Sequence, residues 1–226
     1  MRAWLAVCDY FAMEFYSLPA NLQLPDLLDP NGFLRLLPAE EYDKIPLDNL
    51  REWCCFNARY GLPTCELIAW LRERIAHRNA IEIGAGTGDL AHYLSIPATD
   101  NRMQEWPEIQ FYYRMIKQPT IQYPGFVQNL DALDAINHYH PEVVIASWVT
   151  QWIDPKLPPP LGGGNIYGVK EDEILKRGCV YIFIGNQAVH GDKKIMALPH
   201  KEYKLSFLRS RANQPELNRV WIWNDR

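Results

Sequence analysis

Two stretches of the chain carry apolar residues without a polar break: Val143, Val144, Ile145 and Ala146, then Val180, Tyr181, Ile182, Phe183 and Ile184. Runs of this length fit strands covered on both faces of a sheet, and they predict strands over residues 142–148 and 180–184, the first of them central. Shorter or less regular apolar segments predict further strands at 80–83, 96–99 and 121–127, and two in the tail at 203–208 and 219–223. Helical spacing falls between them, at 90–95, at 107–117 behind Pro107, at 130–138 and at 170–176. Strands that alternate with helices predict an α/β domain built on a mostly parallel sheet with helices on both faces.

Ahead of residue 80 the pattern differs. Pro19, Pro25, Pro30, Pro38 and Pro46 break up any long helix, so residues 18–46 are expected to form an extended arm. Helices are predicted at 47–58 and 63–77. In the second, Pro63 suits the first turn and Glu66 the positive end, while Arg72, Arg74 and His77 crowd the negative end. Its stripe of Leu67, Ile68, Leu71 and Ile75 faces a core. The expected organisation is an N-terminal arm and helices, residues 1–78, packed on an α/β domain, residues 79–226. Because the two helices directly precede the strand at 80–83, they are expected to help cover whatever the domain binds.

The most informative stretch is Ala80-Ile-Glu-Ile-Gly-Ala-Gly-Thr-Gly-Asp-Leu, a strand that runs into glycines and then a helix. Gly84, Gly86 and Gly88 let a ligand lie against backbone amides where the chain turns off the strand. A dinucleotide fold would have a third glycine where Asp89 stands, and a pyrophosphate beside Asp89 and Glu82 would meet negative charge. The Glu82-x-Gly-x-Gly-x-Gly form instead resembles the first motif of the class I S-adenosylmethionine-dependent methyltransferases, whose cofactor carries an ammonium and a sulfonium. The resemblance runs from Ala80 to about Trp152 and weakens toward Trp223.

This resemblance implies a Rossmann-like α/β domain that binds S-adenosylmethionine. It implies that Glu82 lies near the methionine end of the cofactor and that Gly84, Ala85 and Gly86 pass beneath it, with Gly88 closing the motif. The family's acidic residue after the second strand, which receives the ribose hydroxyls, is matched by Asp100, and Asn101 would share that role. A polar pair beside the adenine would come from Asn129 to Asp131, with Asp131 the candidate. Ser147 would complete the cofactor set after the fourth strand. There the chain reads Ala-Ser-Trp-Val-Thr-Gln-Trp. It lacks both the Asn-Pro-Pro-Tyr form of amino-group methylation and the Pro-Cys of cytosine methylation, so the acceptor stays open.

Methyl transfer needs in-line positioning, a dry pocket and, for protonated acceptors, a base. Trp148 and Trp152 would wall the methyl site, and Tyr167 and Asn165, in the loop that holds Gly162, Gly163 and Gly164, would close over it. His190, after the strand at 180–184, is the expected general base, because imidazole titrates near neutral pH. Trp148, Tyr167 and His190 therefore form the candidate catalytic set. Two rivals remain. One is a regulatory or interaction protein that binds the cofactor without catalysis. The other is a nicotinamide-dependent oxidoreductase, which Asp89 and the lack of a Tyr-x-x-x-Lys pair disfavour.

Composition narrows the partners. A formal charge of -4 over 226 residues gives no broad basic field, so nucleic acid is not indicated. Asp9 and Glu14 interrupt the opening apolar run before a signal core or membrane span forms, and a cytoplasmic protein is expected. The five cysteines, Cys8, Cys54, Cys55, Cys65 and Cys179, have no C-x-x-C spacing and are expected to be buried thiols. His138, His140 and His200 lack spacing partners, so no metal is expected. The oligomeric state is left open.

Overall fold

The structure, a computed structural model, describes residues 25–156 and 164–225. Cys8, Asp9, Glu14, Pro19, Gly162 and Gly163 lie outside the described residues. A mostly parallel sheet forms the centre. Its strands are β1 (Ala80–Ile83), β2 (Ala98–Asp100), β3 (Val127–Asn129), β4 (Val143–Ser147), β5 (Val180–Asn186), β6 (Lys201–Tyr203) and β7 (Asn218–Trp223). They lie in the order β3-β2-β1-β4-β5-β7-β6. The ladders from β3 to β5 are parallel, whereas β7 runs antiparallel to both β5 and β6.

Alternation along the strands divides the core into two layers. Val143, Ile145, Val180, Ile182, Val220 and Ile222 face α3 (Cys65–Ile75) and α4 (Asp89–Leu94), meeting the predicted stripe of Leu67, Ile68, Leu71 and Ile75. Val144, Ala146, Tyr181, Phe183, Trp221 and Trp223 face the other way, onto α6 (Ala132–Tyr139) and α7 (Glu171–Lys176). Helices therefore cover both faces, and each strand run that looked uniformly apolar is shared between two cores.

Several boundaries differ from the sequence-based expectation. The third strand begins where the predicted one ends, because Pro124 has no N–H for a ladder and instead accepts a turn bond from Val127 N–H at 3.0 Å. The first tail strand occupies 201–203 rather than 203–208. Its continuation turns away, and Arg209–Ser210 pairs with Gly61–Leu62 in a separate small ladder. Helix α3 starts after Pro63, with Thr64 as its N-cap accepting from Leu67 N–H at 3.1 Å. Helix α5 (Pro107–Met115) does carry Pro107 in its first turn.

The residues before α3 make a third, smaller core. Leu27, Leu34 and Tyr42 pack with Leu50, Trp53 and Cys54 of α2 (Leu47–Phe56), behind the short α1 (Ala39–Asp43). Cys54, Cys55 and Cys179 are buried free thiols, and Cys65 is partly buried. Among the described residues, no helix is long and apolar enough to cross a membrane.

Asp89 ties this small core to the sheet. Its carboxylate accepts from Leu34 N–H at 2.9 Å and from the Thr87 hydroxyl at 2.6 Å. The Arg59 guanidinium lies against it, Nε 2.8 Å from Oδ2, while its other nitrogens donate to the carbonyls of Asn57 and Gly32 at 3.1 and 3.0 Å. Both side chains are buried, so deleting one strands the other charge in low dielectric. Arg59→Met is expected to lower stability in urea by about 3 kcal/mol, and adding Asp89→Asn should recover part of the loss. Equal midpoints for wild type and the single variant would show that the pair carries no such role.

Candidate functional site

The carboxyl ends of the parallel strands open into a cleft of about 660 Å³. It lies where strand order reverses between β1 and β4, the position at which open α/β sheets bind ligands. Its walls come from the glycine loop, the segment after β2, α5, the segment after β4, His190 and Arg211, closed by residues 58–63 from ahead of α3. The expected cover comes mainly from the chain that joins α2 to α3, and Leu67 of α3 also lines the cleft.

The loop after β1 has its shape because glycine stands at each crowded point. Gly84 has φ +56°, and a Cβ there would sit 2.5 Å from Val149 Cγ1. Gly88 does not line the cleft; its φ of +71° and a virtual Cβ 2.6 Å from the Phe126 ring make it a packing position at the start of α4. Ala85 N–H donates to Thr99 O at 3.0 Å, and Gly86 N–H donates to Asp100 Oδ2 at 2.9 Å. The loop is thus stitched to β2 and its floor is fixed.

Two carboxylates flank that floor. Glu82 is buried at the end of β1, its Oε2 accepting from Ala91 N–H in α4 at 2.8 Å. Burial pushes its carboxyl up to about 8; the Ala91 hydrogen bond opposes the shift, and repulsion from Asp89 and Asp100 adds to it. Asp100 is also raised by burial, against hydrogen bonds from Gly86, Arg102 and Tyr123. Its Oδ1 accepts from Arg102 N–H at 2.8 Å. Asp89 lines the cleft too, but it is paired with Arg59, so Glu82 and Asp100 are the acidic groups of the floor that have no ion-pair partner among the described residues.

Asn101 bridges outward, its side-chain amide donating to Tyr167 O at 3.1 Å. Tyr167 itself packs edge-on to Trp106, ring centroids 4.8 Å apart. The strap that carries it is held by parallel pairing of Gly164–Asn165 with Gln151–Trp152 and by the Asn165 amide donating to the Thr150 hydroxyl at 3.2 Å. Asp131 is exposed and caps α6 by accepting from Leu133 N–H at 2.9 Å, which leaves a second oxygen for the cleft it borders.

On the opposite wall, Ser147 ends β4 and Trp148 follows with φ +59°, a strained conformation for a bulky residue. Trp148 stands edge-on to His190, centroids 5.1 Å apart, and near Tyr60 at 6.4 Å. His190 is not in a solvated loop. It ends α8 (Gln187–His190), buried against Phe183, and its Nδ1 accepts from Asn186 N–H at 3.0 Å. Burial holds its pKa well below the ordinary value, and the nearby Lys193 charge adds to this. A neutral ring whose Nδ1 is an acceptor carries its proton on Nε2. His190 therefore offers the cleft a hydrogen-bond donor, and the expected role of general base does not fit this geometry.

No protein-family model matches the chain, and no curated protein does. The cleft brings together the candidate site residues except Gly88, Asn129 and Trp152, the last of which packs against Lys170 instead, and it adds a group that local patterns did not suggest. Tyr60 and Tyr113 hydroxyls lie 3.5 Å apart, and the Gln104 amide donates to Tyr113 at 3.1 Å. Arg211 covers the Tyr60 ring. The tyrosines sit in helical or loop contexts where an aromatic residue signals packing, so only the fold distinguishes them.

The Glu82 shift has a measurable sign. With a folded pKa near 8 against an ordinary 4.5, the folded state holds a proton that the unfolded chain releases. Its contribution to stability is full below 4.5 and is lost as pH rises through 8. Glu82→Gln should remove this loss. Urea midpoints measured from pH 5 to pH 9 are expected to fall for wild type relative to the variant by the equivalent of roughly a few kcal/mol. Parallel pH profiles would contradict the assignment.

Proposed function

We propose that the protein is an S-adenosylmethionine-dependent methyltransferase with a Rossmann-like domain. The observation that carries this is the pair of buried carboxylates, Glu82 and Asp100, on either side of a glycine floor at the reversal of strand order. Neither has an ion-pair partner among the described residues. A ligand with an ammonium and ribose hydroxyls complements such a floor, whereas a pyrophosphate would be repelled. The order 3-2-1-4-5 of the parallel strands is the doubly wound order, which supports the same reading.

The residues fit the cofactor in kind. Glu82 would face its ammonium, Asp100 and Asn101 its ribose, and the backbone from Gly84 to Gly86 its underside, where any Cβ at Gly84 would collide with Val149. When bound, the cofactor supplies an electrophilic methyl group on a sulfonium. Trp148 and Tyr60 exclude water from the opposite wall and offer aromatic faces to a cation or planar acceptor. His190 would orient an acceptor oxygen or carbonyl through its Nε2–H. One observation favours the second reading, binding without catalysis: the imidazole that would serve as base has its free lone pair committed to Asn186.

Calorimetric titration separates these. S-adenosylmethionine and S-adenosylhomocysteine are expected to bind, NAD is not, and Glu82→Ala should weaken the S-adenosyl ligands by about tenfold or more, the scale of a lost charge-assisted contact. Absence of S-adenosyl binding would remove the proposal. Binding without transfer of labelled methyl to any component of a small-molecule extract would favour the non-catalytic alternative.

A further inference from the structure

Four basic side chains are buried in the described structure: Arg59, Lys193, Arg211 and Arg219. Three have carboxylate partners: Arg59 with Asp89 at 2.8 Å, Lys193 with Glu171 at 2.8 Å and Arg219 with Glu202 at 3.2 Å. Arg211 is only 9% exposed, and among the described residues it forms no ion pair. Its one side-chain contact of hydrogen-bond type is a weak approach to Cys55 Sγ at 4.0 Å. Burying most of a guanidinium without a counter-ion is costly, and an anion bound in the cleft it lines would offset that cost.

Its setting points toward the cleft. Arg211 N–H donates to Tyr60 O at 3.0 Å, which fixes the backbone beside the opening, and the guanidinium carbon stands 3.7 Å from the Tyr60 ring centroid. The Tyr60 ring thus backs the guanidinium, whose fork of N–H groups suits a planar, two-oxygen acceptor. Arg211 lines the cleft together with Tyr60, Tyr113 and Trp148. Its charge bears on Tyr113, whereas the charges that bear on Glu82 are those of Asp89 and Asp100. It therefore belongs to the wall facing Trp148 and not to the floor assigned to the methionine end.

We propose that Arg211, stacked on Tyr60, is a carboxylate-binding subsite that selects a methyl acceptor bearing a carboxylate next to a planar or apolar body. The body would lie against Tyr60 and Trp148, and the carboxylate would neutralise the buried guanidinium. The acceptor assignment rests on the methyltransferase reading; the subsite itself does not. A carboxylate could also come from the amino-acid end of the cofactor, and the test separates the two.

The experiment uses the full chain, with and without saturating S-adenosylhomocysteine, and measures binding of benzoate, 4-hydroxybenzoate and the neutral benzamide by ligand-observed NMR. Wild type is expected to bind the two carboxylates at least tenfold more tightly than benzamide. Arg211→Gln should abolish that preference, and Arg211→Lys should restore part of it. Equal binding of benzoate and benzamide to wild type would overturn the subsite even if the variants fail to fold. Calorimetry with S-adenosylhomocysteine and 5′-methylthioadenosine, which lacks the amino-acid portion, completes the design. Unchanged affinity of Arg211→Gln for both supports an acceptor subsite. Selective loss for S-adenosylhomocysteine would assign the carboxylate to the cofactor and overturn the acceptor proposal. Arg211-dependent benzoate binding in a protein that ignores both nucleosides would retain the subsite and remove the methyltransferase.

Discussion

Asp89 meets three separate pieces of the chain at one carboxylate: the amide of Leu34, the hydroxyl of Thr87 and the guanidinium of Arg59. The arrangement of the cleft depends on that junction. Without it the small core around Trp53 would have no charged anchor on the glycine turn, and residues 58–63 would be held over the strand ends chiefly by their pairing with residues 209–211. The same contact determines what charge the cleft presents. Because Arg59 is consumed by Asp89, it cannot neutralise Glu82 or Asp100, and the floor keeps an acidic character.

The two walls consequently differ. The floor has two buried carboxyl groups whose pKa values desolvation raises, so a cation bound there is rewarded by favouring their ionised form. The facing wall has aromatic rings, a neutral donor imidazole and an unmatched guanidinium. Behind that wall, Lys193 and Glu171 form a closed buried pair with the Tyr181 hydroxyl, and Lys193 also lies 3.8 Å from the centroid of Phe183, which packs on His190. The Lys193 charge adds to the burial that keeps His190 uncharged, while the Asn186 N–H fixes which ring nitrogen bears hydrogen. The two walls thus differ in polarity, acidic on one side and cationic on the other.

Much of the scaffold is legible locally. Val143 to Ala146 and Val180 to Ile184 announce themselves as buried strands because both faces of the sheet are covered, and Gly84 and Gly88 mark the two points of the turn where a Cβ would collide with a neighbour. The third strand lies later than its apolar content at 121–127 suggests, because Pro124 interrupts the backbone. For His190 the obstacle differs: a histidine six positions past an apolar strand gives no sign that the chain immediately coils back and buries it. The contacts of Asp89 with Leu34 and Arg59, and of Arg211 with Tyr60, are not legible locally. They join positions far apart in sequence, and no periodicity records such a contact.

Arg211 and Cys55, which touch across the cleft wall, are 156 positions apart in the chain. On a ribosome, the glycine turn and β1 emerge long before the strand pairing that carries Arg211 to Tyr60 can form. Tyr60 has by then been made, but the cation that covers its ring has not. The charged part of this wall is completed only when the last part of the chain folds back onto one of the first.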